Sequence, residues 1–247
     1  MQFAPDIPLV EKYRPANVTD LVLPDKHGLA AALQFCAQPY PSAWLFHGKP
    51  GIGKSSLADI MAKLAAKSPM SIQRFVGPDL SSENVRALVS SFTYRPLGGG
   101  HHVVIVHESD AIPRLAQIRL LDLLERLKEF HLVMCFTSNE DLENFEGRFL
   151  SRVKPQLFSN QGIANPAKDW LLRIARLEGI PLTKPQAVRI IKLSCNNLRG
   201  ALQRLEIHGA ECNTRPDAIA PSLPVITASQ LPTAGEPVAN SRQATRA

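Results

Sequence analysis

Cysteine is scarce and scattered, with only Cys36, Cys135, Cys195 and Cys212 in 247 residues and no C-x-x-C pair. That spacing supports neither a disulfide framework nor a cysteine-built zinc site, and it fits a reducing compartment. Cys135 lies inside an apolar run and reads as a small buried hydrophobe. No apolar run approaches the length needed to cross a bilayer, and the first residues lack a basic-then-apolar signal pattern. The expectation is a soluble, cytoplasmic protein with no membrane partner. Internal repeats are missing as well. The excess of basic charge is small, 28 Lys and Arg against 22 Asp and Glu, a net +6. It permits a polyanionic partner without demanding one. A hydrophobic share of 45% excludes disorder throughout, and the length allows one large core or two modest domains.

What is present centres on one stretch. Gly48-Lys49-Pro50-Gly51-Ile52-Gly53-Lys54-Ser55 fits G-x-x-x-x-G-K-[ST] at every fixed position, and Ser56 follows. A strand-like run, Ala43-Trp44-Leu45-Phe46, precedes it, and apolar residues at helical spacing continue to Leu64. Strand, glycine-rich turn and helix start make an anion cradle of inward backbone N–H groups reinforced by the helix dipole. Lys54 would reach the β- and γ-phosphates, and Ser55 would offer its hydroxyl to Mg²⁺. The expected ligand is therefore a nucleoside triphosphate, ATP with Mg²⁺.

Further strands are expected at Ile72–Val76, His102–Val106, Leu132–Phe136 and Gln156–Phe158. Helices are expected at Lys26–Ala37, from Ser81/Ser82 to about Phe92, at Arg114–Phe130 and, short, at Phe145–Arg152. The Arg114–Phe130 helix shows a stripe of Leu115, Ile118, Leu121, Leu124 and Leu127. Strands alternating with helices predict an α/β fold with a parallel sheet and right-handed crossovers. Ligands of such sheets sit at the carboxyl ends of the strands. That brings the phosphate loop, His107-Glu108 and Asn139 to one edge. From Pro166 the pattern is helical only (Asp169–Leu177, Lys184–Leu193, Asn197–Ala210), a small lid domain. The expected division is 1–162 α/β, 163–212 lid and 213–247 a disordered, low-complexity tail. The first 20 residues, broken by proline, read as an extended basic arm around Leu9-Val10-Glu11-Lys12-Tyr13-Arg14-Pro15.

With these pieces in order the chain resembles the AAA+ ATPases, and within them the small subunits of sliding-clamp loaders of replication-factor-C type, over residues 9 to about 210. Glu11-Lys12-Tyr13-Arg14-Pro15 is similar to that family's opening E-K-Y-R-P, which packs beside the adenine; Val10, Tyr13, Arg14 and Pro15 are the residues so implied. Gly48–Ser55 matches Walker A, and Val103–Asp110 falls where the family has an apolar strand and D-E-x-D. Ala116-Gln117 looks like the A-Q of the next helix. Thr137-Ser138-Asn139 is placed like sensor 1, Ser151-Arg152-Val153 like the S-R-C box, and Asn197-Leu198-Arg199-Gly200 like sensor 2. The resemblance implies Glu108 polarising water and Asn139 holding it in line. It also implies Arg152 as an arginine finger across a subunit interface and Arg199 touching the γ-phosphate. Phosphoryl transfer to water loads charge on the γ-phosphoryl oxygens, so positioned cations are what the chemistry needs. Taken alone, Arg152 and Arg199 would read as solvated arginines and Asn139 as a strand-ending cap.

Three departures are visible. His107 stands where the family has the Walker B aspartate that serves Mg²⁺, and imidazole is a poor donor for so hard an ion. Leu121-Asp122 lie where paired arginines linked to DNA sensing are usual. The region of the family's helical collar is a low-complexity stretch, so a stable pentamer by that route is not expected. The implied partners are other AAA+ subunits, with DNA and a sliding clamp. One alternative is a non-hydrolysing ATP-binding subunit that lends Arg152 to a partner. A small-molecule P-loop kinase would leave the Tyr13-Arg14-Pro15 arm, Arg152 and the lid unexplained.

Overall fold

The computed structural model describes residues 6–23, 29–96 and 98–214. Five strands, β1 (Ser42–Gly48), β2 (Ile72–Val76), β3 (His102–His107), β4 (Leu132–Thr137) and β5 (Lys154–Phe158), form one parallel sheet in the order β2-β3-β4-β1-β5. Nine α-helices accompany them among the described residues: α1 (Leu9–Lys12), α2 (Ala30–Ala37), α3 (Lys54–Ala65), α4 (Ser82–Ser91), α5 (Arg114–Glu125), α6 (Gly147–Leu150), α7 (Ala164–Leu177), α8 (Lys184–Leu193) and α9 (Leu198–Thr214).

The alternation of side chains along each strand sorts the core into two layers. Ala43, Leu45, Val104, Val106, Leu132, Met134 and Phe136 face α4, α5 and α6. Trp44, Phe46, Val103, Ile105, Val133 and Cys135 face α2 and α3. Both faces are covered, which is why β1 and β4 are apolar nearly throughout rather than alternating with polar residues. His107 and Thr137 continue the second parity, so both strand ends turn toward α3. A third cluster is built by α7, α8 and α9. Capping decides several starts: Ser81 Oγ accepts the Asn84 N–H at the head of α4, and Thr183 with Gln186 forms a capping box before α8.

Some sequence expectations are corrected. The arm is not extended throughout: Leu9–Lys12 makes a helical turn, and Leu9 is fully buried in the cluster of α7–α9 together with Val22. In α5 the buried stripe is Ala116, Leu120, Leu123 and Leu124, whereas Leu115 and Ile118 are 71% and 52% exposed. Leucines occupy several faces of this helix, and packing into the core selects among them. The helix also stops at Glu125, short of Phe130, and α6 covers only the middle of Phe145–Arg152. The start expected at Lys26 lies outside the described residues, as does the expected tail beyond Thr214; Asn213 and Thr214 themselves still belong to α9.

Candidate nucleotide site

A cavity of about 510 Å³ opens where the carboxyl ends of the strands meet the lid, a size suited to a small ligand. One wall, named the phosphate wall for the ligand expected there, is the β1–α3 loop: Pro50, Gly51, Ile52, Gly53, Lys54, Ser55 and Ser56 all line the cavity. Gly51 and Gly53 take φ of +72° and +107°, angles that a Cβ disfavours, where the loop turns into the start of α3. Lys54 is buried, and its Nζ donates to the carbonyls of Gly48 (2.7 Å) and Lys49 (2.6 Å). Burial, and then the charge of Arg199, lower its pKa from 10.5 to about 8, against an opposing pull from Asp110.

The opposite wall is made by the ends of β3 and β4. His107 Nδ1 lies 3.1 Å from Thr137 Oγ1, Ser109 Oγ donates to the Thr137 carbonyl (3.2 Å), and Ser138 Oγ donates to Asp110 Oδ1 (2.6 Å). These bonds lock the two strand ends together. Burial holds the His107 pKa below its usual value, with Asp59 pulling upward and Arg14 and Arg74 downward, so the ring is neutral at pH 7. Glu108 occupies the left-handed region at φ 53°, ψ 49°, uncommon for a residue with a Cβ. Glu108 lines the cavity with His107, Thr137, Ser138 and Asn139.

The remaining walls come from the arm and the lid. Val10, Tyr13, Arg14 and Pro15 line the cavity, as do Trp170, Leu198, Arg199 and Leu202. Tyr13 Oη donates to Glu178 at the end of α7, and Lys12 Nζ reaches the same carboxylate at 2.8 Å. Burial, then the Glu178 contact, pushes the Tyr13 hydroxyl up to about 12. Arg14 is held by Asp59 on α3 at 2.5 Å, and Arg74 reaches the same carboxylate at 3.2 Å. The arm thus ties lid to P-loop helix.

Of the residues expected at the site, Gly48 and Lys49 contribute their carbonyls to Lys54 rather than lining the cavity. Arg152 is away from it. Its Nε donates to Glu125 Oε1 at 3.0 Å, its Nη2 reaches the same oxygen, and its Nη1 donates to the Arg148 carbonyl at 2.8 Å. Sequence reasoning missed Thr137 as the β4 side chain that touches His107, together with Asp59, Glu178 and Trp170. For Thr137 the signal was its place as the last strand residue; for the other three only the packing shows it.

The residues present fit a nucleoside triphosphate: the start of α3, Lys54 and Arg199 line one cavity, and an apolar lining from Leu21, Trp170 and Leu202 is at hand for a base. The fit to Mg²⁺ is poor. Ser55 supplies a hydroxyl, but the β3 end presents a neutral imidazole already engaged with Thr137. Among the described residues no three His, Cys, Asp or Glu side chains converge to hold an ion.

Residues 44–161 match the model of the ATPase family associated with various cellular activities (AAA). The chain is 25% identical to Replication factor C subunit 4 of Caenorhabditis elegans, over 79% of this chain and 61% of that protein. It is 26% identical to the Replication factor C small subunit of Natronomonas pharaonis, over 80% and 61%. It therefore spans about three fifths of the length of these relatives. Its fold is similar to that of the RuvB Holliday junction branch migration motor of Thermotoga maritima, with TM-score 0.63 and 19% identity over 78% of this chain and 64% of that one. A parallel sheet with the phosphate loop after β1, an Arg199 brought to the cavity by α9, and these matches agree: residues 44–161 carry the architecture of the AAA+ ATPase superfamily.

Proposed function

We propose that this chain is a cytoplasmic ATP-binding protein of clamp-loader type that couples ATP binding and hydrolysis to remodelling of a DNA replication assembly or another DNA-bound protein assembly. Its similarity to replication factor C subunits supports the class. The observation that carries the reading is the convergence of Lys54, Arg199 and Glu108 on one cavity from three separate elements. In the proposed reaction a water oxygen bonds to the γ-phosphorus and the bond to the ADP oxygen breaks, giving ADP and phosphate. Lys54 and Arg199 take up the charge that spreads over the phosphoryl and leaving oxygens. Glu108 draws a proton from the water, and the polar end of β4, with Asn139, orients it. Arg152, outside its own cavity, would complete the site of a neighbouring subunit. The arm, 1–162 and the lid 163–212 would act as one nucleotide-gated unit, with other AAA+ subunits, DNA and a sliding clamp as partners. ATP binding and turnover, measured alone and with primed DNA, and the mass of the assembly with and without ATP, test this. Nucleotide-independent mass together with an absence of ATP binding would remove it.

A second reading is favoured by one specific observation, the neutral His107 at the β3 end. In that reading the chain binds ATP without hydrolysing it and lends Arg152 to a partner. Turnover that appears only with a partner, and vanishes with Arg152→Ala here, would select it.

A further inference from the structure

The link between α8 and α9 leads into residues that line the cavity. Cys195 and Asn196 are consecutive left-handed residues, at φ +50° and +61°, where side chains with a Cβ are disfavoured. Asn197 follows, and its Oδ1 accepts the Gly200 N–H at 3.0 Å, capping α9. The next two N–H groups do not point to solvent. Leu198 N and Arg199 N donate to the Gly51 carbonyl at 3.0 and 3.3 Å. Two of the free donors at the start of α9 are thus used on the phosphate loop itself. Asn197 is also seated on that loop, since a Cβ on Gly51 would fall 1.9 Å from its Oδ1. Strain of this kind persists only where surrounding contacts hold it: Cys195 N and Asn196 N donate to the Lys192 and Ile191 carbonyls at the end of α8, and Asn196 Nδ2 donates to the Asn160 carbonyl, while Asn197, Leu198 and Arg199 join α9 to the P-loop.

We propose that Asn197 is the positioning residue for Arg199: by capping α9 and seating it on Gly51, it aims the guanidinium at the terminal phosphate, so that the site distinguishes a nucleoside triphosphate from a diphosphate. This rests on the assignment of Arg199 to the γ-phosphate. Arg199 lies two residues beyond the cap, so the angle of the first helical turn sets where its long side chain can reach. The Gly51 carbonyl fixes that angle from the phosphate side. Arg199 lines the same cavity as Lys54, and its charge is felt there. A cap serving α9 alone would not need the paired donation to Gly51.

The test is equilibrium binding of ADP and of a non-hydrolysable ATP analogue to the full chain, with a thermal melt of each variant. Asn197→Ala should lower the preference for triphosphate about fivefold while leaving ADP affinity within about twofold. Asn197→Ser, which keeps a neutral cap, should restore the preference to within about twofold of wild type. Arg199→Ala should lower it at least as far as Asn197→Ala. If Arg199→Ala lowers the preference but Asn197→Ala leaves it unchanged, or weakens both nucleotides alike, the inference fails and the Arg199 assignment survives. If Arg199→Ala leaves the preference intact, or wild type binds both nucleotides equally, both fall together.

Discussion

The two facing walls of the cavity are built differently. The phosphate wall is dense in fixed positive potential: N–H groups at the start of α3, the buried Lys54 and the Arg199 brought in by the lid. The strand-end wall is neutral where His107 leans on Thr137, carries Glu108 in a left-handed turn, and holds the Asp110 carboxylate through Ser138. The first wall needs only geometry to bind an anion, and the second must manage charge to activate water. Under the proposed function, binding and hydrolysis rest on separate elements, and either can weaken without the other.

The sharpest way to break that comparison is on the phosphate wall. Lys54→Ala removes the buried cation while leaving the loop's glycines and the α3 N-terminus. ATP affinity should fall at least about 100-fold, on the order of 2.7 kcal/mol, with the fold intact, because Lys54 donates to loop carbonyls rather than to core groups. Calorimetric titration beside a melt checks both halves. Unchanged affinity would mean the phosphates bind elsewhere.

On the other wall the expected effects separate turnover from affinity. Glu108→Gln keeps the shape and removes the base, so turnover should drop about 100-fold with ATP affinity nearly unchanged. An equal loss in affinity would make Glu108 part of the phosphate wall. His107→Asp should act in the opposite sense, adding an oxygen donor where the imidazole now sits. Turnover should rise about tenfold, roughly 1.4 kcal/mol of transition-state stabilisation, and nucleotide affinity should become more dependent on Mg²⁺. A variant with unchanged turnover and unchanged Mg²⁺ dependence would move His107 out of the site.

The same asymmetry governs what was legible in the sequence. The phosphate wall is contiguous, eight residues with fixed backbone demands, so a pattern of glycines, lysine and serine identifies it. The parallel sheet was equally readable, because strands buried on both faces leave unbroken apolar runs such as Leu132–Phe136. Contacts between distant segments were not readable. Nothing in Leu9 says that it is buried among α7, α8 and α9, and nothing in Glu178 says that it receives both Lys12 and Tyr13. The face of α5 was misjudged for a related reason: a helix with leucines on several sides has more than one plausible stripe, and only the sheet selects Leu120 and Leu123 over Leu115 and Ile118. Arg152 was recognised by its flanks, but its hold on Glu125 is a tertiary contact and leaves no local pattern.

The smallest expected effect is a pH dependence confined to the phosphate wall. Lys54 has a pKa of about 8 against an ordinary 10.5, first because it is buried and then because Arg199 lies near. Between those two values the folded chain binds fewer protons at this position than the unfolded chain does. Its charged form therefore costs stability below about pH 8, and that cost is relieved as pH rises toward 10.5. ATP affinity runs the other way, because the phosphates need the charged lysine. From pH 7 to pH 8.5 the protonated fraction falls enough to weaken binding about fourfold. A bound triphosphate draws the pKa back up, so binding at pH 8.5 should take up protons, visible as a dependence of the calorimetric enthalpy on the buffer's ionisation enthalpy. His107 adds little over this range, since its pKa is already held below the usual histidine value and it stays neutral. Lys54→Met should abolish both the pH dependence and the proton uptake. If they persist in that variant, the titrating group lies elsewhere; if wild-type affinity is flat up to pH 9, Lys54 keeps its proton and the electrostatic strain on the phosphate wall is smaller than its burial implies.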